Sequence, residues 1–481
     1  MNSDTRRRAK IVATMGPACK DRRAVDRLVE AGVDVFRLNF SHGTHEGHER
    51  ALTLAREAAE EAGRPVAVMQ DLQGPRLRTG PLKTPTGVEL EEGDELTIIP
   101  GEFEGTAEAV STSYPELPQD VSAGQSILLG DGMIELEVED VAEQEVRCRV
   151  QFGGVLGEHE GMNLPGLTLS ITSPTDKDLE DLQFAVEHEV DYVALSFVQS
   201  ANDVACLNDE IADRGEDIPV IAKIEKPEAL DHLDDILGEA DGAMVARGDL
   251  GIEMQTEAVP PAQKRIIRRA NTGNKPVITA TQMLESMMEH PRPTRAEASD
   301  VANAVLDGTD AVMLSGETAV GRYPGLVVDT MRRITEHAED LLRDESFAAQ
   351  PPEPLPANPR ETTLAMAARD VAERLDAAGI VAFTMTGATA RHVSQRRPDI
   401  PIYALSPSET TCRRLALVWG VRPVRLPVYS TTDDMIRHGD ARLQELGLVR
   451  EGQTIVCMAG GSTGTRGGTD MLKVHAIGEA D

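Results

Sequence analysis

PVIAKIEKP (219–227) and GAMVARGDLG (242–251) decide the fold. Each is a short apolar run that breaks into charged residues and glycine. A run apolar at nearly every position is a strand covered on both faces, as in a parallel sheet flanked by helices. The pattern recurs upstream as KIVATMG (10–16), VDVFRLNFSHG (33–43), PVAVMQDLQG (65–74) and DYVALSFV (191–198). Downstream it recurs as PVITATQM (276–283) and AVMLSGETA (311–319). A helical pattern follows each. Eight such units are the number that closes a (β/α)8 TIM barrel, and the fold class is α/β.

The units are evenly spaced except the third and fourth, whose starts lie 126 residues apart. Removing one normal unit leaves an insertion, 75–169, long enough for a domain of its own. Its segments GVELEEGDELTIIP, QSILLGDGMIELEVEDV and QEVRCRVQFGGVLG alternate with period two around Gly-Asp turns, which predicts antiparallel strands forming a β-barrel. The insertion leaves after the third strand, at the C-terminal mouth where barrel active sites lie, so a lid is expected. The barrel therefore spans 1–74 and 170–346. The Pro-rich FAAQPPEPLPANPRETT reads as a linker, 347–362. Strands GIVAFTMT, IPIYALS, TIVCMAG and LKVHAI, with helices ATARHVSQRR and ETTCRRLALVWG, form a C-terminal α/β domain, 363–481.

Composition excludes several functions. The 48 basic and 81 acidic residues give a formal charge of −33, against nucleic-acid binding, which needs basic patches. No eighteen-residue apolar run suggests a membrane span, and the start lacks the apolar stretch of a secretory signal. Five scattered cysteines without a CxxC predict free thiols and a cytoplasmic location. Nine lysines against thirty-nine arginines, with 3% aromatics, suggest a surface made for concentrated salt, as in a halophilic archaeon, because ions screen self-repulsion.

The chemistry sits at strand ends. Arg37, Asn39 and Ser41 are two apart and share one strand face, which suggests an anion or ion site. Lys223 and Glu225 are likewise paired; a catalytic pair and a structural ion pair both fit. Glu225 and Asp249 end adjacent strands, and two neighbouring carboxylates favour a cation between them. Oxygen-only ligands point to Mg2+ or Mn2+. Asp71, Thr281, Ser315 and Glu317 are expected to complete the ring. A divalent ion, a lysine and arginines fit phosphoryl or enolate chemistry. No P-loop, G-x-S-x-G or H-E-x-x-H pattern occurs. His42, His45 and His48 read as a solvated turn rather than a zinc site, and GGSTGTRGGTD (460–470) as a rim loop. Thr384, Thr386 and Thr389 surround Gly387 at a helix start, where an anion site and simple capping are both open.

RLNFSHG, DLQGPRLR, AKIEKPEAL, MVARGDLGIE, TATQMLESM and LSGETAVGRYP resemble the pyruvate kinase family, in order and over nearly the whole chain. The resemblance implies phosphoryl transfer from phosphoenolpyruvate to ADP, giving pyruvate and ATP. It implies that Glu225 and Asp249 hold Mg2+, that Lys223 stabilises the group in transfer and that Arg37 holds the phosphate. Gly248 and Thr281 would receive the substrate carboxylate, Thr281 near the site of enolate protonation, and Arg78 and His42 would touch nucleotide phosphates. Members that need K+ hold it with residues matching Asn39, Ser41, Asp71 and the carbonyl of Leu72. Leu72-Gln73 with basic Arg76 instead resembles members that work without K+, whereas Thr79 fits the dependent pattern. In animal members the lid carries lysines where this chain has GEHEGMNLPG (157–166). A phosphorylated allosteric effector would bind at Thr384, Thr386, Gly387 and Thr389, and family members are usually homotetramers. The rival readings are a Mg2+-dependent lyase or aldolase of the phosphoenolpyruvate/pyruvate barrel class, and a non-catalytic metabolite sensor.

Overall fold

The computed structural model describes residues 7–167, 173–343, 359–460 and 468–479. Eight parallel strands close a barrel in sequence order: Lys10–Thr14, Val35–Asn39, Ala67–Asp71, Tyr192–Leu195, Val220–Ile224, Gly242–Ala246, Val277–Ala280 and Ala311–Leu314. Closure comes from the first strand pairing with the eighth, Lys10 opposite Ala311. All eight expected segments are therefore barrel strands. They are buried on both sides because helices cover the outside and side chains fill the inside. Val12, Met69, Ile221, Met244, Ile278 and Met313 belong to the interior cluster.

The barrel floor carries a feature the motif reading passed over. Asp34, Asp191, Asp241 and Asp310 each stand immediately before an even-numbered strand. Each accepts a backbone N–H from the preceding odd-numbered strand. The donors are Ile11 (2.9 Å), Val68 (2.8 Å), Val220 (3.1 Å) and Val277 (2.9 Å). Barrel strands are staggered, so their first N–H groups lack a ladder partner, and burying one unpaired is costly. The four carboxylates satisfy them.

The insertion forms its own core, from Leu77 to Leu164. The expected antiparallel β-barrel differs in detail. Its ladders make a six-stranded sheet beside a two-stranded one, and Glu95–Pro100 pairs in parallel with Ala109–Thr112. Isolated bridges, among them Arg78 to Gly161, connect the entering and returning chain. Alternation marks which face is buried, whereas direction and closure depend on loops.

The C-terminal domain is a five-stranded sheet ordered Val421–Arg425, Ile402–Ser406, Ile380–Phe383, Thr454–Ala459 and Met471–Ala476, with only the last strand antiparallel. Helix Pro359–Arg374 begins inside the stretch read as linker, of which 347–358 lies outside the described residues. The 3-10 turn Leu415–Leu417 places Ala416 and Leu417 in the interior cluster of the barrel, so this domain plugs the floor. Burying a leucine there is worth roughly 1.5–3 kcal/mol. None of the five cysteines is joined in a disulfide. Among the described residues no helix is long and apolar enough to cross a membrane.

Candidate active site

The C-terminal ends of the strands bring the sequence candidates together. Asn39 and Asp71 lie opposite each other on the second and third strands. Asp71 is fully buried and ties two cations: its Oδ2 accepts from Arg37 Nε (2.5 Å) and its Oδ1 lies 3.2 Å from Lys223 Nζ. Lys223 Nζ also pairs with Glu225 Oε1 (2.8 Å) and donates to Ser196 Oγ (2.6 Å). Arg37 reaches Thr14 Oγ1 (3.1 Å). Three strands, the second, third and fifth, thus contribute one chain of alternating charge, Arg37–Asp71–Lys223–Glu225.

Burial penalises every charge here, and the neighbours decide the outcome. Burial alone would lower the Lys223 pKa, but Asp71 and then Glu225 more than offset it, so the ammonium is held above its ordinary value. Burial would raise Asp71, but Arg37 and Lys223 hold its carboxyl below the usual range. Glu225 goes the other way. Burial raises it, Lys223 opposes, and nearby Asp249 raises it further. Its second oxygen accepts the Phe197 N–H (2.6 Å). The Asp249 carboxylate has no hydrogen-bonding partner among the described residues.

Two neighbouring carboxylates, one of them unpartnered, suit a hard divalent cation such as Mg2+ or Mn2+. Two are too few for a protein-only cage, and no group of three potential ligands occurs among the described residues. Substrate and water would complete such a shell, the usual pattern for Mg2+.

Thr281 and Gln282 both have positive φ, +66° and +52°. For a β-branched residue this is a strained conformation. The turn is clamped: Thr281 Oγ1 donates to Ala280 O (2.7 Å) and accepts from Gly248 N (2.7 Å). Arg247 donates to the carbonyls of Ala280 (3.2 Å) and Thr281 (2.6 Å) and pairs with Asp300 (2.5 Å). The Gly248 N–H is thereby occupied by Thr281 rather than free.

A cavity of about 330 Å³ lies between the mouth and the insertion, lined by His42, Arg76, Arg78, Lys226, Asp249 and Glu253 among others. Burial and then Arg76, Arg78 and Arg37 push the His42 pKa down, so the imidazole is neutral among three guanidinium groups. Arg78 donates to the His159 carbonyl (2.7 Å) of the insertion. Lys226 pairs with Glu253 (2.9 Å), which accepts from Asn163 (3.1 Å), a second tie between insertion and barrel.

Other candidates fall differently. Glu317 does not join the ring. It accepts the N–H groups of Leu284 (3.1 Å) and Ser315 (2.7 Å) and shapes a loop. His48 stacks on Phe40 and His45 bonds Asp181 (2.7 Å), so only His42 faces the cavity. Asn39 Oδ1 accepts from Ser41 N (3.2 Å), and the Leu72 carbonyl accepts from Ser196 (2.7 Å). Thr384 Oγ1 caps Gly387 N (2.9 Å), Thr389 meets Thr469 (2.8 Å), and Thr386 sits beside them. Of GGSTGTRGGTD, positions 461–467 lie outside the described residues. Ser196, Thr14, Arg247, Lys226 and Glu253 were not singled out from sequence. Ser196 and Lys226 sit at strand ends within the quoted motifs, which was their only signal.

Family models described as pyruvate kinase, barrel domain, and pyruvate kinase, alpha/beta domain, match residues 6–328 and 362–475. This chain belongs to the pyruvate kinase family. It is 46% identical to a pyruvate kinase of Mycobacterium intracellulare over 477 residues, 99% of each chain. It is 45% identical to pyruvate kinase 2 of Synechocystis sp., covering 98% of this chain and 79% of that one. A crystal structure of a pyruvate kinase from Cryptosporidium parvum superposes with TM-score 0.91 at 36% identity, covering 99% and 97%. Pyruvate kinases are phosphotransferases, and this chain is one by family.

Proposed function

We propose that the charged chain at the barrel mouth transfers the phosphoryl group of phosphoenolpyruvate to ADP, the last step of glycolysis. One observation carries the reading: Arg37 and Lys223 are fixed by Asp71 and Glu225 so that two cations face the same mouth. Phosphoryl transfer needs positioning and charge neutralisation more than covalent help. Arg37 would hold the phosphate, and Lys223 would meet charge that grows on the group in transfer. Glu225 and Asp249 would hold the Mg2+, whose contribution when bound is further neutralisation of oxygen charge. The clamped turn of Gly248 and Thr281 would receive the substrate carboxylate, with Thr281 beside the carbon that is protonated. That role requires the Gly248 N–H to exchange its Thr281 contact for the ligand. His42 and Arg78 would contact nucleotide phosphates in the cavity under the lid, and lid closure would exclude water.

Asp71 is engaged by Arg37 and Lys223, and Arg76 lies near His42. These contacts support work without K+, the fixed guanidinium supplying the charge; K+, if used, would sit at Asn39, Ser41, Asp71 and Leu72. The same reading divides the chain into barrel (1–74, 170–346), lid (75–169), linker and regulatory domain (363–481). It makes the protein a cytoplasmic homotetramer, salt-adapted as in a halophilic archaeon, with a phosphorylated effector at Thr384, Thr386, Gly387 and Thr389.

The test is ATP formation from phosphoenolpyruvate and ADP in molar KCl, with and without Mg2+. Mg2+-dependent ATP is expected. Folded protein that makes none would turn the reading toward a lyase or aldolase using the same metal and acid.

A further inference from the structure

Two segments carry the carboxylates that would hold the divalent ion: Glu225 just after the fifth strand, and Asp249 on the short helix Arg247–Glu253. The residue after Glu225 is Lys226, and Glu253 is the last residue of that helix. Lys226 Nζ lies 2.9 Å from Glu253 Oε2, and the two side chains are only 3% and 1% exposed. No other acid pairs with Lys226 among the described residues. A chain with nine lysines thus buries two of them, Lys223 and Lys226, at one mouth.

Stability alone is a poor reason for the second. Two charges taken out of water cost more than their attraction returns in many buried pairs, and apolar residues of similar volume often serve the fold as well. The location gives another reason. Asp249 and Glu253 are four apart on one helix, so their side chains are neighbours. Both line the cavity at the mouth together with Lys226. A flexible four-carbon stem that carries an ammonium to Glu253 can carry it to Asp249 as well. Yet the Asp249 carboxylate has no hydrogen-bonding partner among the described residues. Glu253 is the more deeply buried of the two acids, where attraction to a cation is stronger. Its other oxygen accepts from Asn163 Nδ2 of the insertion (3.1 Å), which fixes the carboxylate.

We propose that Glu253 is a positioning residue for the divalent ion: it sequesters the Lys226 ammonium, so that Asp249 stays open to Mg2+ or Mn2+. This inference rests on the reading that Glu225 and Asp249 hold the ion. Without Glu253 the ammonium would turn to Asp249 and compete with the metal. Without Lys226 nothing would compete, and Glu253 would add negative charge beside the site. A pair that merely braced the two segments would behave otherwise, since cutting it from either side would loosen the site equally.

Mn2+ alone would be titrated into the full chain in molar KCl, with free Mn2+ read by electron paramagnetic resonance well below the Tm of each variant. Glu253→Gln should weaken Mn2+ binding about 10–100-fold, the usual effect of losing an outer-shell partner. Lys226→Met should bind Mn2+ at least as tightly as wild type. The double variant should return to within about threefold of wild type, because the two residues are coupled. Asp249→Asn should remove the binding. Wild-type affinity in Glu253→Gln, or equal weakening in Glu253→Gln and Lys226→Met, would overturn the sequestering role and leave the metal reading intact. If Glu253→Gln fails to fold, weakened binding in Lys226→Met and in the double variant would overturn it equally. Undiminished binding in Asp249→Asn would overturn both.

Discussion

Lys223 shows what one residue can do in this barrel. It lies in a run of apolar neighbours, so its ammonium survives only because Asp71 and Glu225 outweigh the desolvation. Lys223→Met should therefore lower kcat at least about 10²–10³-fold, the usual cost of removing a transition-state charge donor, while KM for phosphoenolpyruvate moves little. Steady-state kinetics would check this, and near-wild-type kcat would refute the role. The pair Lys223–Glu225 was readable because the side-chain period of a strand is two. Its partner Ser196 was not, because a serine after DYVAL reads like any strand end until the barrel closes. Glu317 misled for the converse reason: an acid at a strand end looks like a ligand, but its oxygens serve backbone N–H groups.

Elements owe their ends to similar contacts. Asp34 precedes the second strand, caps Ile11 N, and pairs with Arg7 (2.7 Å) and Arg64 (2.9 Å). Burial would raise its pKa, but Arg7, Lys10 and Arg64 win and hold it low. A carboxyl depressed in the folded state stabilises above its unfolded pKa of about 3.9 and loses that contribution as pH falls through the folded value. Asp34→Asn removes the carboxylate that Arg7 and Arg64 share and should cost about 3–5 kcal/mol near neutral pH. Denaturant melts should show the gap to wild type narrowing below about pH 4; a gap independent of pH would refute the account. Elements of the C-terminal domain were harder to read. Strand Val421–Arg425 is VRPVR, whose proline and arginines hide it; it is an edge strand, where proline is tolerated. Helix Thr432–Glu445 opens on a cap, Thr431 Oγ1 accepting from Asp434 N (3.1 Å).

At the scale of the molecule, charge dominates. A formal −33 repels itself, and many of the arginines answer with ion pairs such as Arg22 with Asp26, Glu57 and Glu61. Exposed pairs contribute little each, so screening by salt should matter more. Tm should rise as KCl is raised from dilute to molar; a flat profile would remove the halophilic reading. The sequence by itself determined the barrel, the insertion point and the residues at the mouth. Those follow from local periodicity, from the eight-fold count, and from charges too costly to bury without purpose. Only the tertiary structure decided which charges pair, that four aspartates cap alternate strands, and that Ala416 and Leu417 plug the floor. These depend on contacts between residues hundreds of positions apart, and periodicity along a chain carries no record of what lies opposite once the barrel has closed.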